Sequence, residues 1–209
     1  MEKSGEAPAE VEGRYFGESR FKHGQHRLHV FTAVGRKSNG QQIFEFAGAE
    51  LVAAIHDQQV AVSNGLFVTA TINGQHALGL AHALNLRGAA TATIEVKVQA
   101  PSWLKVATLE VYENGRPLTL SKPGAGRLVA VAPGTAGAAL SAPLDAADQK
   151  SPSVRFDGTI TISPRRDAWY VIVARGTGSL APIGPGAPYG YTNPLYVDLA
   201  GDGWTAPGL

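Results

Sequence analysis

The sequence contains no cysteine, which excludes disulfide bonds and thiolate metal sites. It has no apolar run near the ~20 residues that a membrane-spanning helix needs, so no membrane partner is expected. Acidic and basic residues nearly balance at a formal net charge of +1, which provides no strongly basic surface for nucleic acid. With 17% charged and 44% hydrophobic residues, the 209-residue chain has the composition of a folded protein.

The first ten residues are polar and acidic, without the basic start and apolar centre of a signal peptide. We therefore expect a cytoplasmic protein, or an internal fragment of a longer one. Residues 1–13 are charged and small and show no hydrophobic periodicity, which predicts a disordered tail.

A content of 25 glycines and 13 prolines indicates many turns and favours a mainly β fold. Residues 91–99 alternate between apolar and polar side chains, as in a strand with one buried and one wet face. Residues 106–112 and 154–162 alternate in the same way. Asn114-Gly115 is a strong signal for a tight turn.

Two further segments define the expected organisation. Residues 169–174 are apolar on both faces, which predicts a central strand. Residues 50–56 place apolar side chains at helical spacing and predict a short helix. We expect an immunoglobulin-like antiparallel β-sandwich over residues 60–209, preceded by a short α/β remnant over residues 14–59.

Three histidines lie within seven residues: His23, His26 and His29. Imidazole is the commonest metal ligand, so they are candidate ligands of zinc or manganese. In an extended segment, however, side chains three residues apart point to opposite faces and do not converge. Solvated histidines beside Lys22 and Arg27 are therefore the favoured interpretation.

Aspartates in two other segments are candidate ligands or catalytic groups. Asp198 and Asp202 belong to a run that resembles part of a calcium loop, in which oxygen ligands recur every second residue. Ala200 stands at the middle ligand position and no bidentate glutamate follows, which favours a turn capped by aspartates. Asp145 and Asp148 lie in an Ala-, Gly- and Pro-rich segment, where we expect them to be solvated.

Four motifs occur in order along the last three quarters of the chain. They are Val62-Ser63-Asn64-Gly65-Leu66-Phe67-Val68, the hairpin from Val98 to Gly115, Arg166-Asp167-Ala168-Trp169, and Thr192-Asn193-Pro194 with the following segment to Gly203. Together they resemble the C-terminal region of PHP-domain metallohydrolases of the CehA/McbA type. The similarity extends over about residues 48–208.

The resemblance implies a relative of hydrolases that have a distorted (β/α) barrel, bind divalent metals through His, Asp and Glu, and cleave ester or phosphoester bonds. In that family the ligands lie upstream of the matched region. The nearest counterpart of the last ligand element, residues 17–22, has Arg20 and Lys22 where the family has Asp and His. The expected function is therefore a non-catalytic accessory region without a cofactor, next to a catalytic PHP-type domain in the same chain or in a separate subunit.

Two alternatives remain open. A reduced metal site at the three histidines would make the chain an ester or phosphoester hydrolase that uses zinc or manganese. Exposed aromatic residues such as Tyr189 and Tyr191 would instead make the sandwich a glycan- or peptide-binding module. A sheet edge left uncovered by a missing barrel would favour a homodimer.

Overall fold

The computed structural model describes residues 14–20, 27–33, 48–181 and 186–207. The predicted tail, residues 1–13, lies outside them. The described residues are mainly β. In chain order the strands and the α-helix are β1 (Arg14–Arg20), β2 (Arg27–Ala33), α1 (Gly48–His56), β3 (Val60–Ser63), β4 (Phe67–Ile72), β5 (Leu84–Asn85), β6 (Ala92–Gln99), β7 (Lys105–Glu113), β8 (Arg116–Pro117), β9 (Thr119–Gly124), β10 (Arg127–Val131), β11 (Ala142–Pro143), β12 (Val154–Ile162), β13 (Ala168–Thr177), β14 (Tyr189–Thr192) and β15 (Leu195–Asp198). Two short 3-10 helices span Leu80–His82 and Ala146–Asp148.

The larger sheet is built around β13. One edge of β13 pairs with β7, and the other pairs first with β15 and then with β14. The sheet continues from β14 through β3 and β2 to β1, and from β15 to β5, while β7 also carries β8 and β11. Residues 169–174 therefore form a central strand, as their two apolar faces predict, because both edges of β13 are hydrogen-bonded.

The smaller sheet has the order β4-β6-β12-β10-β9. Its pairs are antiparallel except for β10 with β12, and in the larger sheet β15 with β5 is also parallel. These two pairs depart from the antiparallel arrangement that the sequence predicts. The fold remains mainly β, with two sheets in which most neighbouring strands are antiparallel.

The two sheets share one hydrophobic core. Ile94, Val96 and Val98 of β6 are buried, as their alternation predicts, and they belong to the same cluster as Tyr170 and Ile172 of β13. Each large apolar side chain that is removed from water in this way stabilises the fold by about 1.5–3 kcal/mol. The core therefore fixes which face of β13 points inward and which points outward.

The predicted helix over residues 50–56 is present as α1 and begins two residues earlier. After it the chain turns at Gln58, whose φ of 59° is left-handed, and enters β3. The backbone of β2 pairs with β3, so the larger sheet continues across the predicted boundary between residues 59 and 60. The division of the chain at that point stays a prediction. None of the helices in the described ranges is both long and apolar enough to cross a membrane.

Candidate functional site

The segment that resembles a calcium loop is a turn held by Asp198, the last residue of β15. Asp198 Oδ1 accepts a hydrogen bond from the Gly201 N–H at 2.6 Å, and Oδ2 accepts one from the Gly203 N–H at 2.9 Å. Both glycines have positive φ, which a residue without a Cβ adopts at little cost. Asp198 is buried, whereas Asp202 lies exposed on the turn. Both carboxylate oxygens of Asp198 therefore have backbone donors.

Asp167, the residue just before β13, closes the same turn. Its Oδ1 accepts from the Leu199 N–H at 2.9 Å, and its Oδ2 accepts from the Thr205 N–H at 2.6 Å. The indole of Trp204 adds a hydrogen bond from Nε1 to the Ala168 carbonyl at 3.2 Å. The two motifs of the resemblance around Asp167 and Asp198, separate in sequence, thus form one hydrogen-bonded unit at the start of β13.

Replacing Asp198 by alanine is expected to reduce the free energy of unfolding by about 2 kcal/mol, because two backbone N–H groups lose a charged acceptor. Asp202→Ala is the matched control and should change it by less than about 0.5 kcal/mol, since Asp202 is exposed and makes none of these bonds. Urea titrations with and without calcium would check this. A strong stabilisation by calcium that both variants abolish would contradict the turn assignment.

The predicted histidine ligands are only partly placed. His23 and His26 lie outside the described residues. The backbone of His29 lies in β2, paired with Glu18 of β1. Among the described residues there is no group of three or more His, Cys, Asp or Glu side chains that could hold a metal ion. The metal assignments of the three histidines and of Asp198 and Asp202 stay predictions.

The Ser-Asn-Gly motif connects β3, which belongs to the larger sheet, to β4, which belongs to the smaller sheet. Ser63 is buried, and its Oγ accepts the Gly65 N–H at 2.9 Å. Asn64 donates from its backbone to Tyr189 O at 3.1 Å and from Nδ2 to Ala187 O at 3.2 Å. The motif therefore ties this connection to the start of β14 and to the chain just before it.

The Thr-Asn-Pro motif joins β14 to β15 in a comparable way. Thr192 is buried, and its Oγ1 accepts the Ile172 N–H at 3.1 Å. Asn193 donates from its backbone to Val60 O at 3.2 Å and from Nδ2 to Gln58 O at 3.0 Å. These bonds fix the connection between β14 and β15 against the residues that follow α1.

A buried ion pair lies in the segment that the sequence predicted to be solvated. The Asp148 side chain is fully buried and accepts from Lys122 Nζ at 2.6 Å, while Asp145, which is mostly exposed, accepts from the same ammonium at 2.9 Å. The expectation is therefore wrong for Asp148. Burial alone would lower the pKa of Lys122, but its hydrogen bonds to Asp148 and Asp145 outweigh burial and raise it. The hydrogen bond from Lys122 lowers the pKa of Asp145.

Asp148 also accepts from two backbone N–H groups, those of Gly126 at 2.8 Å and Asp145 at 2.9 Å. The carboxylate thus connects the hairpin between β9 and β10 to the 3-10 helix at Ala146–Asp148. Every oxygen of Asp148 has a donor, so the group serves the fold and has no position from which to act on a substrate.

The outward face of the larger sheet carries a group of half-buried aromatic side chains. In β13 the buried residues alternate with Trp169, Val171 and Val173, which are half-buried on the opposite face. Six tyrosine and tryptophan residues share this face, here called the aromatic face. They are Tyr112, Trp169, Tyr189, Tyr191, Tyr196 and Trp204.

Two ring contacts order this face. The rings of Tyr189 and Tyr191, on successive outward positions of β14, have centroids 6.2 Å apart and planes within 9° of parallel. Tyr196 and Trp204 meet edge to face at 5.1 Å. Burial raises the pKa of Tyr189, its neighbour Tyr191 raises it further, and the charge of Arg175 opposes both.

A polar network lies beside the tyrosine pair. Arg175 of β13 is the direct cross-strand partner of Tyr189, and its Nε donates to Glu110 Oε1 at 2.7 Å. The Tyr112 hydroxyl donates to Glu110 Oε2 at 2.9 Å. This network was not predicted, although the sequence holds one signal for it. Glu110 and Tyr112 lie two residues apart in one alternating segment, and so do Val173 and Arg175 in another. A spacing of two places both members of each pair on the same face of their strand.

In the segments whose side chains are described, Trp103 is the one aromatic residue that is largely exposed, at 55%, and it lies outside the aromatic face. Its loop is held by Arg155, which donates to Pro101 O at 3.0 Å and to Ser102 O at 2.7 Å. Trp103 is therefore a suitable reference position for tests of the aromatic face.

No family model, no curated protein and no solved structure matches the chain. The assignment of a function therefore depends on the residues and their geometry.

Proposed function

We propose that this chain is a non-catalytic accessory region of a PHP-type metal-dependent hydrolase, and that its two sheets constitute an immunoglobulin-like sandwich. The sandwich proposal is supported by the single core that both sheets share. One observation carries the functional proposal. In the motifs that carry the resemblance, polar side chains such as those of Ser63, Asn64 and Asp198 form hydrogen bonds with backbone groups.

Hydrolysis needs a nucleophile beside a base, or a metal that activates water. Ser63 has the residue type of a nucleophile, but it is buried and its Oγ accepts a backbone N–H. The His56 imidazole lies 3.3 Å from Asp57 at the exposed end of α1, whereas Ser63 is buried. These contacts favour motifs that shape the fold over motifs that perform chemistry.

The proposal predicts that the purified chain does not hydrolyse 4-nitrophenyl acetate or bis(4-nitrophenyl) phosphate when zinc or manganese is added. The rates should equal those of the His26→Ala variant, because no ligand set would be present for that substitution to remove. Metal-dependent turnover that His26→Ala abolishes, with an unchanged melting temperature, would instead support the reduced hydrolase.

The accessory role also predicts a partner. A PHP barrel domain that has been truncated before its own C-terminal region should form a stoichiometric complex with this chain, measured by light scattering coupled to size exclusion. Separate elution of the two proteins at concentrations of about 50 μM would count against the role. The mass of the chain alone, measured in the same way, tests the predicted homodimer.

A further inference from the structure

We propose that the chain forms a symmetric homodimer in which the outward faces of two larger sheets pack against each other. The contact is centred on β13 and uses five residues, here called the dimer patch. They are Tyr112, Trp169, Val171, Val173 and Tyr196. This inference goes beyond the accessory role, because it places a second copy of the chain on this face whether or not a hydrolase is also bound.

The first argument is the contrast between the outward faces of the two sheets. An antiparallel sheet with one solvated face carries polar side chains on that face. The smaller sheet follows this rule. The outward residues of β6 are Thr93, Glu95, Lys97 and Gln99. The corresponding outward positions of β13 hold Trp169, Val171 and Val173 instead. β13 therefore has the composition of a strand that is covered on both faces.

The second argument is that the patch is continuous across three strands. Tyr112 of β7 lies directly across from Val171, and Tyr196 of β15 lies directly across from Trp169. Side chains at such positions stand about 4.5–5.5 Å apart on one face. All members of the patch are half-buried, so they pack against their neighbours in the sheet and retain part of their surface for a partner. Contiguous apolar patches of this kind are typical of protein–protein contacts.

The charges on this face favour a second copy as the partner. Within residues 169–175 of β13 and 108–112 of β7, the charged residues at outward positions are Arg175 and Glu110. They pair with each other, with Arg175 Nε donating to Glu110 Oε1 at 2.7 Å. A face whose charges compensate each other does not repel its own copy, whereas an excess of one sign would select an oppositely charged partner.

The size of the face suits a stable dimer. Four strand positions lie side by side here, namely β7, β13, β14 with β15, and β3 with β5. With strands about 4.8 Å apart and about 3.3 Å per residue, these positions along the ten residues of β13 cover about 600 Å² in plane. Specific, stable interfaces bury about 600–1,000 Å² on each partner. The face is therefore large enough to hold two copies together.

Pairing between sheet edges is the other common route to a dimer, and the smaller sheet does not favour it. Its edge strands are β4 and β9. Val68 and Ala70 of β4 are only 1% and 5% exposed, backbone included. Leu120 of β9 exchanges two backbone hydrogen bonds with Ala139. We therefore place the predicted homodimer on the outward face of the larger sheet and not at these edges.

The test is the molar mass of the chain by light scattering coupled to size exclusion. At about 200 μM the mass should be that of a dimer, with a dissociation constant below about 50 μM. Val171→Lys should weaken the dimer at least about 100-fold and give a monomer, because it buries two like charges in a symmetric contact. Val171→Thr is a milder variant that keeps the β-branched shape, and it should weaken the dimer about tenfold.

Thr161→Lys is the matched control, since Thr161 is half-buried at an outward position of β12 in the smaller sheet. It should leave the dimer mass unchanged. Trp103→Ser removes an exposed apolar side chain outside the aromatic face and should not change the mass either. The melting temperature of each variant shows whether it is folded.

A mass other than that of a dimer for the unaltered chain at about 200 μM would overturn the proposal. A dimer that both Val171 variants leave intact would overturn it as well, because the contact would then lie on another surface. The same conclusion would follow if Thr161→Lys or Trp103→Ser dissociated the dimer as strongly as Val171→Lys.

Discussion

Gly190→Ala is expected to lower the free energy of unfolding by about 3 kcal/mol. A Cβ at position 190 would overlap the carbonyl oxygen of Leu66, which is backbone and has no rotamer to change. Relief by movement of β14 is blocked, because Gly190 is paired with Ser63 on one side and Ala174 on the other. Leu66, which follows the connection between the two sheets, lies against β14 at this position.

Gly124→Ala is the matched control for that prediction. A Cβ at position 124 meets no atom within 4 Å and the backbone there is not left-handed, so the change should be within about 0.5 kcal/mol of zero. Urea unfolding followed by tryptophan fluorescence measures both variants. Equal stabilities for the two would show that β14 does not lie against Leu66 in the way described.

Asp148→Ala is expected to lower the free energy of unfolding by about 3–5 kcal/mol, since it breaks a buried ion pair and leaves partners behind. The Lys122 ammonium, itself only 17% exposed, would lose its shortest hydrogen bond, and the N–H groups of Gly126 and Asp145 would lose their acceptor. The measurement is again equilibrium unfolding in urea at neutral pH.

Asp145→Ala separates the buried carboxylate from the exposed one. Asp145 is 63% exposed, and Lys122 keeps Asp148 when Asp145 is removed, so the loss of stability should be much smaller than for Asp148→Ala. If the two variants were equally destabilised, the ion pair would act through the exposed carboxylate. The role of Asp148 as the connection between hairpin and 3-10 helix would then be wrong.

Long alternating segments were predictable from the sequence, because one buried face imposes a period of two. β6 and β12 follow their patterns to within one residue, and the Asn114-Gly115 turn has positive φ at both residues, as expected for that pair. β14 and β15 were not predicted. Each has four residues, and Gly190 and Pro194 there signal turns when they are considered without the neighbouring strands.

The candidate sites show a similar limit. That Asp198 would cap a turn could be expected from the glycines that follow it. The burial of Asp148 could not, because its partners Lys122 and Gly126 lie more than twenty residues earlier in a segment of low complexity. The network of Arg175, Glu110 and Tyr112 depends on the register of β7 against β13, which no local pattern specifies.

The most direct test of the accessory role is the metal content of the purified, dialysed chain by plasma mass spectrometry. A non-catalytic accessory region should carry less than about a tenth of a zinc or manganese ion per chain, because the motifs use their polar groups within the fold. About one ion per chain that His26→Ala removes would contradict it and would establish a metal site at the histidines.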